Sequence, residues 1–223
     1  MSGVFGIADV AQSGEVDRAI RTMAQSLTHY RWHQCSQIAD ERAGVALGRI
    51  GIGIFNPGAQ PIHSDDGAIT LVFSGELTRK ELLRAAVKST NGSAMQWTDE
   101  NLVLAAYAHW GVKCVDRLQG QYVFAILDRN KNELILANDR FGLYPTYYCT
   151  THQRLVFAPE VKALLCAIDE SPRLRMDALA EYFRFQRLLG TKTFFEGIQV
   201  LPPATVLQYD LGSGQISSTR YWD

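Results

Sequence analysis

The 223-residue sequence predicts an α+β fold of stacked layers, and three observations point to it. Short apolar runs broken by turn signals recur as antiparallel hairpins, segments of helical periodicity are grouped between them, and no internal repeat or low-complexity linker interrupts the pattern. Both faces of such sheets need cover, which the helices supply. With 47% hydrophobic and 20% charged residues, the chain suits one soluble domain with a sizeable core, and two compact domains would be a tight fit. Residues 1–223 are therefore read as a single domain.

The elements follow in order. Gly3-Val4-Phe5-Gly6-Ile7-Ala8 is a short apolar run that suits a buried strand at the very start. Val16, Ile20, Met23 and Leu27 recur at helical spacing and predict an amphipathic helix over about 15–29. Residues 43–55 and 68–73 read as strands, separated by the turn signals Asn56-Pro57-Gly58 and Asp65-Asp66-Gly67. A helix is predicted over 78–88, with Thr78 as cap and Glu81 at its capping-box position, and another over 99–110. Residues 121–127 and 133–137 form a hairpin around the polar 128–132 turn, and 145–149 with 154–158 form a second. Residues 176–187 read as helix, Leu201-Pro202-Pro203 breaks the pattern, and 204–209 is the closing strand. The chain stops on Arg220-Tyr221-Trp222-Asp223, an aromatic ending that reads as a cut from something longer.

Composition excludes several function classes. The net charge of −1, with scattered lysines and arginines, indicates neither a nucleic-acid surface nor a basic membrane helix. No apolar run approaches the ~18 residues of a membrane span, and the N-terminus lacks a signal-peptide pattern, so a cytoplasmic location is expected. Cys35, Cys114, Cys149 and Cys166 form no CxxC or Cys/His cluster, so reduced thiols are expected and no metal site. His29, His33, His63, His109 and His152 show no metal-ligand spacing and no evident serine partner for a triad.

A series of strings then runs in order along nearly the whole chain. It begins with Met1-Ser2-Gly3-Val4-Phe5-Gly6-Ile7 and continues through Gly58-Ala59-Gln60-Pro61-Ile62, Leu71-Val72-Phe73-Ser74-Gly75-Glu76 and Thr98-Asp99. Leu118-Gln119-Gly120-Gln121-Tyr122-Val123-Phe124-Ala125, Asn138-Asp139-Arg140-Phe141-Gly142, the stretch 157–165, and Thr193-Phe194-Phe195-Glu196-Gly197-Ile198 before Leu201-Pro202-Pro203 complete it. Together they resemble the N-terminal glutaminase domain of the asparagine synthetase B family. The resemblance implies an N-terminal nucleophile fold, a four-layer αββα sandwich of two antiparallel sheets. It also implies hydrolysis of glutamine, with ammonia passed to an ATP-dependent synthetase domain. That domain, in cis or as a separate subunit, is the implied partner; a homodimer is left open. ATP and magnesium belong to the synthetase domain, and no cofactor or metal is expected here.

The family's mechanism needs an N-terminal cysteine, exposed by removal of Met1, whose thiolate attacks the amide while its α-amino group moves the proton. Ser2 stands there instead, and a hydroxyl starts with far less anionic character than a thiol. The family's oxyanion hole is an Asn-Gly pair; here Ser74 and Gly75 hold those places, and loss of one such donor costs on the order of 10² to 10³ in rate. Aligning back from Gln60-Pro61 sets Gly51 at the carboxylate-gripping arginine, with Arg49 two residues earlier on the same strand face and its head roughly 6 to 7 Å away. His29-Tyr30-Arg31-Trp32-His33 replaces the family's R-G-P-D loop; Trp32 beside Tyr30 fills the emptied pocket, faces a partner or packs the loop.

Asp99 matches the acid that holds the substrate's α-ammonium, and equally suits a helix N-cap. Glu76 is a pocket remnant or a structural residue beside the glycine turn, and Asp139-Arg140 suits a structural salt bridge or turn. Four readings follow. The leading one is a non-catalytic glutaminase-like domain that scaffolds an asparagine synthetase-like, amide-forming enzyme. The others are an active N-terminal serine hydrolase or amidase, a glutaminase inactivated by a Cys-to-Ser change at residue 2, and an amino-acid-binding module.

Overall fold

The computed structural model describes residues 2–11, 14–88, 97–151, 153–168 and 173–223. Its first sheet holds β1 (Gly3–Asp9), β2 (Gln34–Asp40), β3 (Val45–Gly51), β8 (Tyr147–Thr151), β9 (Arg154–Ala158) and β10 (Ile198–Val200), in the order β10-β8-β9-β1-β3-β2. The second holds β4 (Ile62–His63), β5 (Ile69–Leu77), β6 (Gly120–Asp128), β7 (Glu133–Asn138), β11 (Thr205–Asp210) and β12 (Ile216–Arg220), in the order β12-β11-β7-β6-β5-β4. Every paired strand is antiparallel.

Three cores separate four layers. Val4, Val45, Leu47, Val72, Val123 and Leu136 fill the space between the sheets. The outer face of the first sheet, through Phe5, Ile7 and Ile50, buries Val16, Ile20, Met23 and Leu27 of α1 (Val16–Leu27) and Leu164 of α4 (Val161–Leu165). The outer face of the second, through Leu71, Phe73 and Phe124, is covered by Leu83 of α2 (Lys80–Lys88) and by Leu102, Val103 and Tyr107 of α3 (Asp99–Trp110). Strand alternation sends successive residues of β1 and β5 to opposite layers, which is why both strands read as unbroken apolar runs. The αββα expectation holds.

Departures lie mostly at sheet edges. β2 and β12 fall in segments to which the sequence assigned no element, so 204–209 is not the closing strand; both are polar edge strands with little buried surface. The 43–55 strand is shorter, ending at Gly51 before a bend. Thr78 does not cap α2, because Arg79 at φ +50° stands in the left-handed region and the helix begins only at Lys80. Helix α5 (Met176–Phe185) and both predicted hairpins are present. Asp139 supports the turn reading: Oδ1 accepts from Phe141 N–H and Oδ2 from Leu143 and Tyr122 N–H.

Candidate active site

The register of β1 against β3 runs Gly3–Ile50 and Val4–Arg49, so one step back sets Ser2 opposite Gly51. Val4 and Leu47 face the space between the sheets, so alternation puts Ser2 and Arg49 on that same inner face. Val72 faces inward from β5, and Ser74 follows it onto the facing sheet, fully buried. The nucleophile and oxyanion positions expected from the sequence thus lie on the facing inner sides of the two sheets, with Ser2 half-buried.

Gly75 has φ +140°, and a Cβ there would stand 2.1 Å from the Gln121 carbonyl oxygen, so only glycine fits between β5 and β6. Its N–H donates to Asn56 Oδ1 at 3.0 Å, and Asn56 Nδ2 donates to Glu100 Oε2 at 3.4 Å. Asn56 is itself at φ +50°, a conformation Asn tolerates better than most residues.

Arg49 differs from expectation. Its side chain folds along its own strand face, and Nη2 lies 2.8 Å from where a Gly51 Cβ would stand. The guanidinium therefore occupies the space beside Gly51 rather than lying a strand repeat away, and the missing Gly51 side chain is what makes room for it. Arg49 is 4% exposed; Nη2 donates to the Phe55 carbonyl at 2.6 Å and Nε has no partner. Burial pushes this guanidinium below its ordinary pKa, against the opposing charges of Glu100 and Tyr144. The Tyr144 hydroxyl is pushed up by burial, which outweighs the pull of Arg49.

Asp99 is not the N-cap of α3. Thr98 takes that place, its hydroxyl accepting from Asn101 N–H at 3.4 Å, and Asp99 is the first helical residue. Its Oδ2 accepts from Leu77 N–H at 3.1 Å, while Oδ1 forms an ion pair with Lys80 Nζ at 2.6 Å, off the line of a hydrogen bond. Glu76 is exposed at the end of β5, near enough for its charge to act on Tyr144. Sequence reasoning missed Lys80, Asn56, Glu100 and Tyr144; only the turn signal at Asn56 had marked any of them.

The replaced loop presents its aromatic residues to solvent. Tyr30 and Trp32 stack with ring centroids 4.5 Å apart and are both more than half exposed. His29 Nε2 meets Glu160 at 2.8 Å and His63 Nδ1 meets the Thr70 hydroxyl at 3.0 Å. His152 and Met1 lie outside the described residues. All four cysteines are free thiols, and among the described residues no group of His, Cys, Asp or Glu is arranged to hold a metal. No described helix is long and apolar enough to cross a membrane.

A family model described as a glutamine amidotransferase domain matches residues 1–222. The chain belongs to that family. The amidotransferase domain is 27% identical to asparagine synthetase [glutamine-hydrolyzing] 1 of Bacillus subtilis, over 91% of this chain and 32% of that protein. It is 30% identical to asparagine synthetase B [glutamine-hydrolyzing] of Escherichia coli, over 74% of this chain and 30% of that protein. The chain thus spans about a third of the length of these curated relatives. In fold, it superposes on the glutamine phosphoribosylpyrophosphate amidotransferase of B. subtilis with a TM-score of 0.61 at 16% identity, over 98% of this chain and 49% of that one. A structure described as the allosteric regulatory enzyme of purine biosynthesis gives 0.67 at 17% identity, over 98% of this chain and 48% of that one.

Proposed function

We propose that this amidotransferase domain is catalytically idle towards glutamine and serves as the scaffold of an asparagine synthetase-like, amide-forming enzyme. One observation carries the reading. Of the two donors that would meet a developing oxyanion, the amide is replaced by Ser74, and the other, Gly75 N–H, already donates to Asn56 Oδ1 at 3.0 Å. A weak nucleophile at Ser2 then faces a site that lacks preorganised stabilisation for the charge its attack would create. Arg49 and Asp99 persist as pocket residues, but each spends its side chain inside the protein, on Phe55 and on Lys80 with Leu77. Glu76, exposed at the strand end, keeps a place at the rim.

In this reading the partner is a synthetase domain, in cis or as a separate subunit, and ATP and magnesium act there. The location is cytoplasmic. The relatives' names, which pair asparagine synthesis with glutamine hydrolysis in proteins about three times as long, support that arrangement.

The test is glutamate release from glutamine by the purified chain and by Ser2→Cys, with intact mass to establish whether Met1 has been removed. The expected outcome is no release above buffer from either. Release by Ser2→Cys alone would show that residue 2 was the sole block, and release by the unaltered chain would make it an N-terminal serine amidase.

A further inference from the structure

Asp99 is an anion in need of a cation. Its side chain is 9% exposed, Leu77 N–H satisfies only Oδ2, and Oδ1 has no aligned hydrogen bond, only the ammonium of Lys80 at 2.6 Å. Lys80 is 30% exposed at the first residue of α2, so its ammonium reaches onto this buried carboxylate from the solvent side. Arg49 is the opposite case. It is a buried guanidinium with an unpartnered Nε, and among the described residues no carboxylate stands within ion-pair distance of it.

Asp99 is bonded to β5 directly, and Arg49 is linked to it only through the charge of Glu100. Leu77 N–H binds Asp99, while Gly75 N–H binds Asn56, whose amide binds Glu100, the residue whose charge acts on Arg49. Gly75 and Leu77 are two strand residues apart, roughly 6 to 7 Å. A buried carboxylate and a buried guanidinium with a spare donor carry the two charges that complement a small zwitterion. Its ammonium end is already filled by a primary ammonium of the protein.

We propose that Lys80 is a specificity-determining residue that occupies the ammonium subsite in cis and thereby excludes free α-amino acids, L-glutamine included. Being tethered, it competes at an effective concentration on the order of millimolar or above, which a free amino acid must exceed. The inference rests on the reading that the site is idle, and gives that idleness a cause separate from residue 2.

The test is isothermal titration of L-glutamine, and of 4-carbamoylbutanoate as the same molecule without the α-amino group, into the wild-type chain, Lys80→Met and Lys80→Gln. Thermal melts verify folding; if Lys80→Met fails to fold, Lys80→Gln, which keeps a neutral donor beside Asp99, decides. The expected result is tightening of glutamine binding on the order of tenfold or more over wild type, lost again when Asp99→Asn is added, with no gain for 4-carbamoylbutanoate. Folded Lys80 variants that bind glutamine no better than wild type would overturn the proposal, as would a gain that survives Asp99→Asn or appears equally for the deaminated probe. Glutamate release by the wild-type chain would overturn the idle reading and the exclusion of glutamine together, whereas no release and no tightening in the Lys80 variants would overturn the role of Lys80 alone.

Discussion

Replacing Asn56 by glycine removes the acceptor that holds Gly75 N–H, in a strand that is buried on both sides at that point. The orphaned donor costs about 1 to 3 kcal/mol, and the added backbone freedom of the unfolded chain costs about 0.5 to 1 more. Glycine accepts the φ of +50°, so no steric strain enters the comparison. The sum, about 1.5 to 4 kcal/mol, corresponds for a chain of this size to a melting temperature lower by roughly 5 to 10 °C at its centre. Asn56→Asp is the control. It keeps an acceptor for Gly75 but sets a second carboxylate beside Glu100, whose Oε2 lies 3.4 Å from the Asn56 amide nitrogen, and both positions are buried. Repulsion should lower its stability at pH 7, with part of the loss regained on acidification as one carboxylate of the pair takes a proton. Urea unfolding followed by tryptophan fluorescence reads both. An Asn56→Gly chain with the wild-type midpoint would refute the claim that Asn56 holds the Gly75 donor.

Three further outcomes follow from the same structure. Gly75→Ala should yield no soluble folded chain, since its Cβ would meet the Gln121 carbonyl oxygen at 2.1 Å in a φ +140° conformation; native-like dispersion in an NMR spectrum of that variant would contradict the β5–β6 geometry. The thiols of Cys114 and Cys149 are pushed up to about 12 by burial, so a disulfide reagent at pH 8 should label only the exposed Cys35 and Cys166 until urea is added. The same shifts fix a pH dependence. The unfolded chain loses those thiol protons near pH 8.5 and the folded chain only near 12, so unfolded molecules bind fewer protons and stability falls as pH rises through that window. Unfolding midpoints that hold constant from pH 8 to 10.5 would be at odds with this.

Where burial follows from local pattern, the chain spells out its own structure. Helix α3 carries its cap and its apolar run in one contiguous stretch, and the β6–β7 hairpin is two apolar runs around a polar turn in which Asp128 Oδ1 accepts from Asn130 and Lys131 N–H. Edge strands β2 and β12 leave no such trace. Gln34–Asp40 and Ile216–Arg220 are held by backbone pairing to one neighbour, and side chains open to solvent need not be apolar. Thr78 and Glu81 have the right spacing for a capping box, yet the backbone turns left-handed between them at Arg79.

The amino-acid sequence by itself determined the family and singled out Ser2, Ser74, Gly75, Glu76 and Asp99 as candidates, because those residues sit in contiguous strings that keep their spacing whatever surrounds them. Only the tertiary structure decided what each of them touches. That Arg49 curls over Gly51, that Asn56 reaches the Gly75 donor from a different turn, and that Lys80 caps the charge of Asp99 are contacts between residues distant along the chain or displaced by a bend. Such contacts depend on how buried polar groups share partners, and that sharing is settled only when the sheets and helices pack together.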